Sequence, residues 1–151
     1  MTIKPKHLAR CVCALLLLSG VSFAANDPGS LPIPRGVYHL RTGIYVARGA
    51  DCGEPPNAAI RLYDGKGLNT AHAHACNVVI RSAHGASYAV EQTCVDSGEG
   101  PGARFTERQE VTVQGDARFT QRVAGVATTY QYCAVGRLGA DLRDVARGLE
   151  K

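Results

Sequence analysis

The chain has 151 residues, 45% of them hydrophobic, and its 17 Lys and Arg against 13 Asp and Glu give a formal net charge of +4. That hydrophobic share excludes a disordered chain, and the length leaves room for one core of ordinary size. The positive balance does not argue for nucleic acid, because Lys4, Lys6 and Arg10 all fall within the first ten residues, away from any acidic neighbour.

Those three basic residues precede an apolar run from Cys11 to Leu18, and Ser22-Phe23-Ala24 then places small residues at the two positions that a signal peptidase inspects. The pattern predicts a secretory signal over residues 1–24, cleaved after Ala24, and so a periplasmic or secreted protein. The run is well short of the ~20 residues that cross a bilayer, and no later run replaces it, so no membrane span is expected. Without the leader, fourteen basic residues stand against thirteen acidic ones, a net charge of +1 with no basic cluster for nucleic acid.

Residues 25–35 carry Pro28, Pro32 and Pro34 beside Gly29 and Ser30, which excludes a helix and predicts an extended arm. Residues 36–151 read as a single β-rich domain. Between Val37 and Val46 the residues Tyr38, Leu40, Thr42, Ile44 and Val46 fall on one side, and His39 and Arg41 on the other, the alternation of a strand. Asp51 to Asn57 is a loop stiffened by Pro55 and Pro56. A short strand from Ile60 to Tyr63 then leads into Asp64-Gly65-Lys66-Gly67, whose Asp-Gly pair supplies the positive φ of a tight turn.

The next strand is expected from Leu68 to Ile80, followed by a turn at His84-Gly85. Another runs from Tyr88 to Cys94 with Tyr88, Val90, Gln92 and Cys94 on one side. Gly98, Gly100, Pro101 and Gly102 make the longest loop, the expected mobile element. Beyond it, Arg104-Phe105-Thr106-Glu107-Arg108 is echoed fourteen residues later by Arg118-Phe119-Thr120-Gln121-Arg122. The even offset predicts neighbouring antiparallel strands, each burying its Phe, with a third strand from Val126 to Cys133. Leu142, Val145 and Leu149 predict a helix over about 140–150, with Asp141 and Arg147 placed to suit its dipole. Seven to eight short strands and one C-terminal helix predict a mostly β fold, a small antiparallel barrel or sandwich.

Six cysteines are present, two of them in the leader, and in an oxidising compartment the remaining Cys52, Cys76, Cys94 and Cys133 imply two disulfides. Three pairings are possible. Spacing favours Cys52 with Cys76, which brackets one turn-rich segment, and Cys94 with Cys133, which would join two strands that both end in Gln-X-Cys.

Few residues suggest chemistry. His72, His74 and Cys76 alternate as donors on one strand face would, a candidate metal site; against it, Cys76 is expected to be oxidised. Asp96-Ser97-Gly98 resembles the Asp-Ser/Thr-Gly loop of aspartic proteases, and Ala134-Val135-Gly136-Arg137 resembles the segment before their terminal helix in retroviral-type members. That resemblance covers about seven residues and implies a dimer in which two Asp share one proton. The chain departs from it where Gly98 is followed by Glu99-Gly100-Pro101. There is no Gly-X-Ser-X-Gly elbow, and the glycines lie between strands rather than before a helix where a phosphate would bind. Glu91, Glu107 and Glu110 are expected on solvated strand faces. Tyr45 and Tyr63, opposite in parity to Ile44, Val46, Ile60 and Leu62, are expected as exposed contacts.

The resulting expectation is an exported bacterial binding or inhibitor-like protein without catalytic activity or cofactor, which takes a protein or small ligand through loops at one end. Periplasmic inhibitor and immunity proteins share this general build. The alternatives are a small secreted hydrolase or metal-binding protein using His72 and His74 or Asp96, and a structural component of the cell envelope.

Overall fold

The computed structural model describes residues 35–98 and 102–149. The expected signal peptide, the arm before Arg35 and the middle of the Gly98 to Gly102 loop lie outside those residues. Eight antiparallel strands follow in chain order: β1 (Gly43–Ala47), β2 (Ile60–Tyr63), β3 (Leu68–Asn69), β4 (Ala73–His84), β5 (Ser87–Asp96), β6 (Arg104–Val113), β7 (Arg118–Val123) and β8 (Val126–Tyr132). One helix, α1 (Ala140–Leu149), closes the chain. The spatial order β3-β2-β1-β8-β7-β6-β5-β4 is a meander from β4 to β8, with β1 to β3 added beside β8. β3 and β4 then meet, so the sheet is a nearly closed barrel.

Turn chemistry sets the register. Asp64 Oδ1 accepts the N–H groups of Lys66 and Gly67 at 2.8 and 3.2 Å, which fixes the turn between β2 and β3 around Gly65. β7 and β8 are joined through Ala124 and Gly125, both at positive φ (47° and 83°), as a two-residue type I′ hairpin requires.

β1 is buried on both faces and separates the two larger of the buried hydrophobic clusters. Inside lie Tyr38, Leu40, Tyr45, Tyr63, Leu68, Val90, Val111, Phe119 and Tyr130. Outside, Ile44, Val46 and Ile60 pack with Leu138, Ala146 and the Cys52–Cys133 disulfide, and Leu142 and Leu149 of α1 flank them. Tyr45 and Tyr63 are therefore fully buried, not exposed contacts. Both stand on the strand face opposite the aliphatic residues, but α1 covers one face and the barrel interior takes the other. The helix presents Leu142, Ala146 and Leu149; Val145, expected in that stripe, is 42% exposed while Ala146 is 1%. Alanine lets the helix backbone approach the strands closely.

Four further expectations are corrected. The strand expected from Val37 begins only at Gly43: residues 36–39 form a turn, with His39 at φ 51°, that inserts Tyr38 and Leu40 into the barrel. The strand from Leu68 breaks at residues 70–72, where Thr70 N–H bonds to Ala73 C=O at 2.8 Å, and then continues to His84. Phe119 is buried but Phe105 is 41% exposed. β6 outruns β7, whose pairing reaches only Gln109, so Phe105 stands beyond it opposite Cys94. Finally, all four cysteines are bridged but not in the expected pairing: the disulfides are Cys52–Cys133 and Cys76–Cys94. Cys76 and Cys94 sit on adjacent β4 and β5, whereas two strands separate β5 from β8. Cys133, held by its N–H to Ile44 C=O at 2.8 Å, lies instead beside the loop after β1.

Candidate functional site

The interior of the barrel changes character along its axis. At the end where β1 begins, Tyr38 and Leu40 fill it, Tyr63 Oη accepts the Tyr38 N–H at 3.1 Å, and Tyr45 Oη donates to the Arg41 carbonyl at 2.8 Å. In the middle, Phe119 stacks on Tyr130 with ring centroids 5.2 Å apart. Toward the other end the inward positions turn polar: Gln92 on β5, Gln109 on β6 and Gln121 on β7 are 4%, 5% and 5% exposed.

Arg61 of β2 reaches across to these amides. Its Nε donates to Gln121 Oε1 at 2.9 Å, Gln121 Nε2 donates to Gln109 Oε1 at 2.8 Å, and Gln109 Nε2 donates to Glu107 Oε2 at 3.0 Å. An arginine can only donate and a carboxylate only accepts, so both amide orientations are fixed by the ends of the chain. Arg61 Nη1 also bonds the carbonyls of Ala58 and Ile60, and the guanidinium lies over the Tyr130 ring at 4.7 Å. Burial lowers its pKa, and the Tyr130 ring and Glu107 work against that shift.

These groups line a cavity of about 530 Å³, whose wall also includes Leu68, Thr70, Phe105 and Val123. Its opening follows from strand lengths. The β7–β8 hairpin turns back at Ala124 and Gly125, while β6 already begins at Arg104, so its first residues, before Gln109, are unpaired on that side. Gln92 was expected to share one strand side with Tyr88, Val90 and Cys94, and that side faces inward. Glu107, expected on a solvated face, in fact turns inward beside it. Gln109 and Arg61 carried no motif; their signal was parity with Phe105 and Val111 on β6, and with Tyr63 on β2.

The expected metal donors are not brought together. A bulge at Ala75, φ 51°, shifts the β4 register between His74 and Asn77, so Cys76 is buried in its disulfide while His74 is exposed. His72 lies in the bend before β4. Among the described residues no three His, Cys, Asp or Glu are grouped to hold a metal. His74 Nδ1 instead lies 2.7 Å from Ser97 Oγ, and Ser97 N–H bonds the His72 carbonyl at 2.7 Å. Asp96 ends β5, where its Oδ1 accepts the Gly98 N–H at 3.0 Å and closes a local turn. Its side chain and that of His72 reach the rim of the cavity.

A second depression, of about 520 Å³, lies on the outer face of β4 to β7. Its charges are paired: Arg81 and Arg108 both bond Glu91, and Arg122 lies 3.4 Å from Glu110. The two arginines hold the Glu91 carboxyl below its ordinary pKa. On this exposed face such pairs contribute little stability.

No family model matches the chain, and neither a curated protein nor a solved structure matches it.

Proposed function

We propose that the protein is an exported, non-catalytic binding protein whose ligand occupies the polar end of the barrel. The supporting observation is the partly buried series of hydrogen bonds from Arg61 through Gln121 and Gln109 to Glu107, lining a cavity of about 530 Å³. Eight-stranded barrels either fill their interior with side chains or hold one small ligand. This one does the first at the Tyr38 end and leaves room at the other. Aliphatic residues in place of Gln109 and Gln121 would spare the desolvation of two amides, on the order of 1–3 kcal/mol for each group left imperfectly paired. Retaining them is economical if they recognise something. Export rests on the leader sequence, with which two disulfides are compatible.

Thermal-shift screening of residues 25–151 against sugars, amino acids and short peptides tests the reading. At least one compound is expected to stabilise the protein; at a hundred times its Kd the gain is about 2.7 kcal/mol. The same compound should not stabilise the Gln109→Met, Gln121→Met double variant, whose polar wall is gone. Equal stabilisation of both proteins would place binding outside the cavity.

A hydrolytic reading has one observation in its favour, the His74 to Ser97 hydrogen bond, which pairs a base with a potential nucleophile. Both residues are exposed, and among the described residues no acid orients His74. Ester hydrolysis lost in Ser97→Ala, with folding intact, would favour this reading over the binding one.

A further inference from the structure

The polar wall that supports a bound ligand also carries information about its charge. Arg61 and Glu107 stand at opposite ends of a directed series of hydrogen bonds, and every donor in it points from the cation toward the anion. Arg61 is half-buried, stacked on Tyr130 and fully engaged at Nε and Nη1, yet its Nη2 bonds no described residue. Glu107 uses Oε2 on Gln109, and its Oε1 likewise bonds no described residue. Gln109 and Gln121 each spend one amide hydrogen within the chain and retain a second. The cavity thus offers a cationic donor at one end, an anionic acceptor at the other, and amide hydrogens between.

Net charge narrows the choice further. The two charges cancel within the wall, and a ligand with a single unbalanced charge would bring an uncompensated ion into a partly desolvated site. A neutral ligand with separated charges would not. Contacts of 2.9, 2.8 and 3.0 Å and the two intervening amide groups separate the charged ends by on the order of 10 Å, the reach of an extended tripeptide at about 3.3 Å per residue.

Resting on the cavity reading above, we propose that the site takes a small zwitterion of the short-peptide kind, its carboxylate on Arg61 Nη2, its ammonium on Glu107 Oε1 and its amide carbonyls facing the free hydrogens of Gln109 and Gln121. Phe105, exposed at the mouth, is then positioned to cover an apolar side chain of the bound peptide.

Calorimetric titration with three probes tests the assignment: triglycine, N-acetyl-triglycine and triglycine amide. Triglycine is expected to bind, and removing either terminal charge should weaken binding about tenfold or more. Glu107→Gln keeps an acceptor for Gln109 and should fold as the wild type does. It is expected to lose about tenfold for triglycine while binding N-acetyl-triglycine at least as tightly as the wild type does, an uncoupling that a merely structural role would not produce. Equal binding of capped and free peptides would overturn the zwitterion assignment while leaving the cavity reading in place. So would failure of all three probes alongside a neutral compound that binds wild type but not the Gln109→Met, Gln121→Met variant. Triglycine binding that this double variant retains undiminished would overturn both.

Discussion

Gln92 holds both backbone groups of Leu68: its Oε1 accepts the Leu68 N–H at 2.7 Å and its Nε2 donates to the Leu68 carbonyl at 3.1 Å. The carboxamide carries the same donor and acceptor as a peptide group, so one side chain from β5 serves as strand edge for the two-residue β3. Asn69 Oδ1 adds a bond to the Cys76 N–H at 3.0 Å, and Val78 N–H reaches the Lys66 carbonyl at 3.1 Å. Amide side chains thus close much of the seam between the first and last members of the sheet.

Replacing Gln92 by Leu keeps the volume but leaves a buried N–H and C=O without partners. The expected cost is about 2–4 kcal/mol, read from urea unfolding, with faster hydrogen exchange at Leu68. An unchanged urea midpoint would show that the seam closes without the amide.

Two neighbouring tyrosines should respond oppositely to loss of their hydroxyls. Tyr63 Oη accepts the Tyr38 N–H and donates to the Arg35 carbonyl at 2.9 Å, so Tyr63→Phe is expected to cost about 1–3 kcal/mol. Tyr38 Oη is buried with no hydrogen-bond partner among the described residues. Tyr38→Phe should therefore be neutral or raise stability by up to about 1 kcal/mol. Thermal unfolding of both variants checks the contrast, and a Tyr38→Phe loss as large as that of Tyr63→Phe would contradict it.

The two disulfides close very different loops, with sequence separations of 81 and 18 residues. On the chain-entropy model their removal costs about 4.5 and about 3 kcal/mol. The Cys52→Ser, Cys133→Ser pair should thus unfold at lower urea than Cys76→Ser, Cys94→Ser. It also frees the end of β8 from the loop that carries Cys52, beneath α1.

Alkaline pH should unfold the barrel through its buried phenols. Burial raises the pKa of Tyr63 from 10.0 to about 12, and Tyr38 and Tyr45 are raised further by the same cause. Below pH 10 both folded and unfolded chains keep these protons, and stability does not depend on them. Above pH 10 the unfolded chain releases them first, so stability falls by about 1.4 kcal/mol per pH unit for each tyrosine, and Tyr63 stops contributing to the slope near pH 12. Urea midpoints measured between pH 8 and 11.5, alongside tyrosinate absorbance, should show a flat region and then a steep decline. A gradual decline beginning near neutrality would point to other groups.

Much of the strand content was legible because it rests on local alternation and turn chemistry. Ile60 to Tyr63, the Asp64-Gly65 turn, Tyr88 to Cys94 and Val126 onward all follow from neighbours a few residues apart. The failures share a different cause. Tyr45 and Tyr63 were misplaced because parity tells which residues share a face, not whether that face meets water, and only α1 packing on β1 and β2 makes both faces interior. Phe105 and Phe119 share a motif but not an environment, because strand length rather than composition decides where β7 stops. The cysteine pairing depends on which strands become neighbours.

The candidate site was the least legible part. Gln109, Gln121 and Glu107 look like solvated strand residues, and Arg61 is one of many arginines. Their significance arises only when β2 faces β6 and β7 across a closed sheet.

By itself, then, the sequence determined a β-rich domain with a C-terminal helix and four cysteines that pair within it. Those properties depend on residue type and short-range spacing, which the linear chain carries. Tertiary structure alone decided which cysteines pair, which faces are buried and that a cation and an anion share one cavity. Each of those depends on contacts between residues distant along the chain, whose proximity is set when β3 and β4 meet.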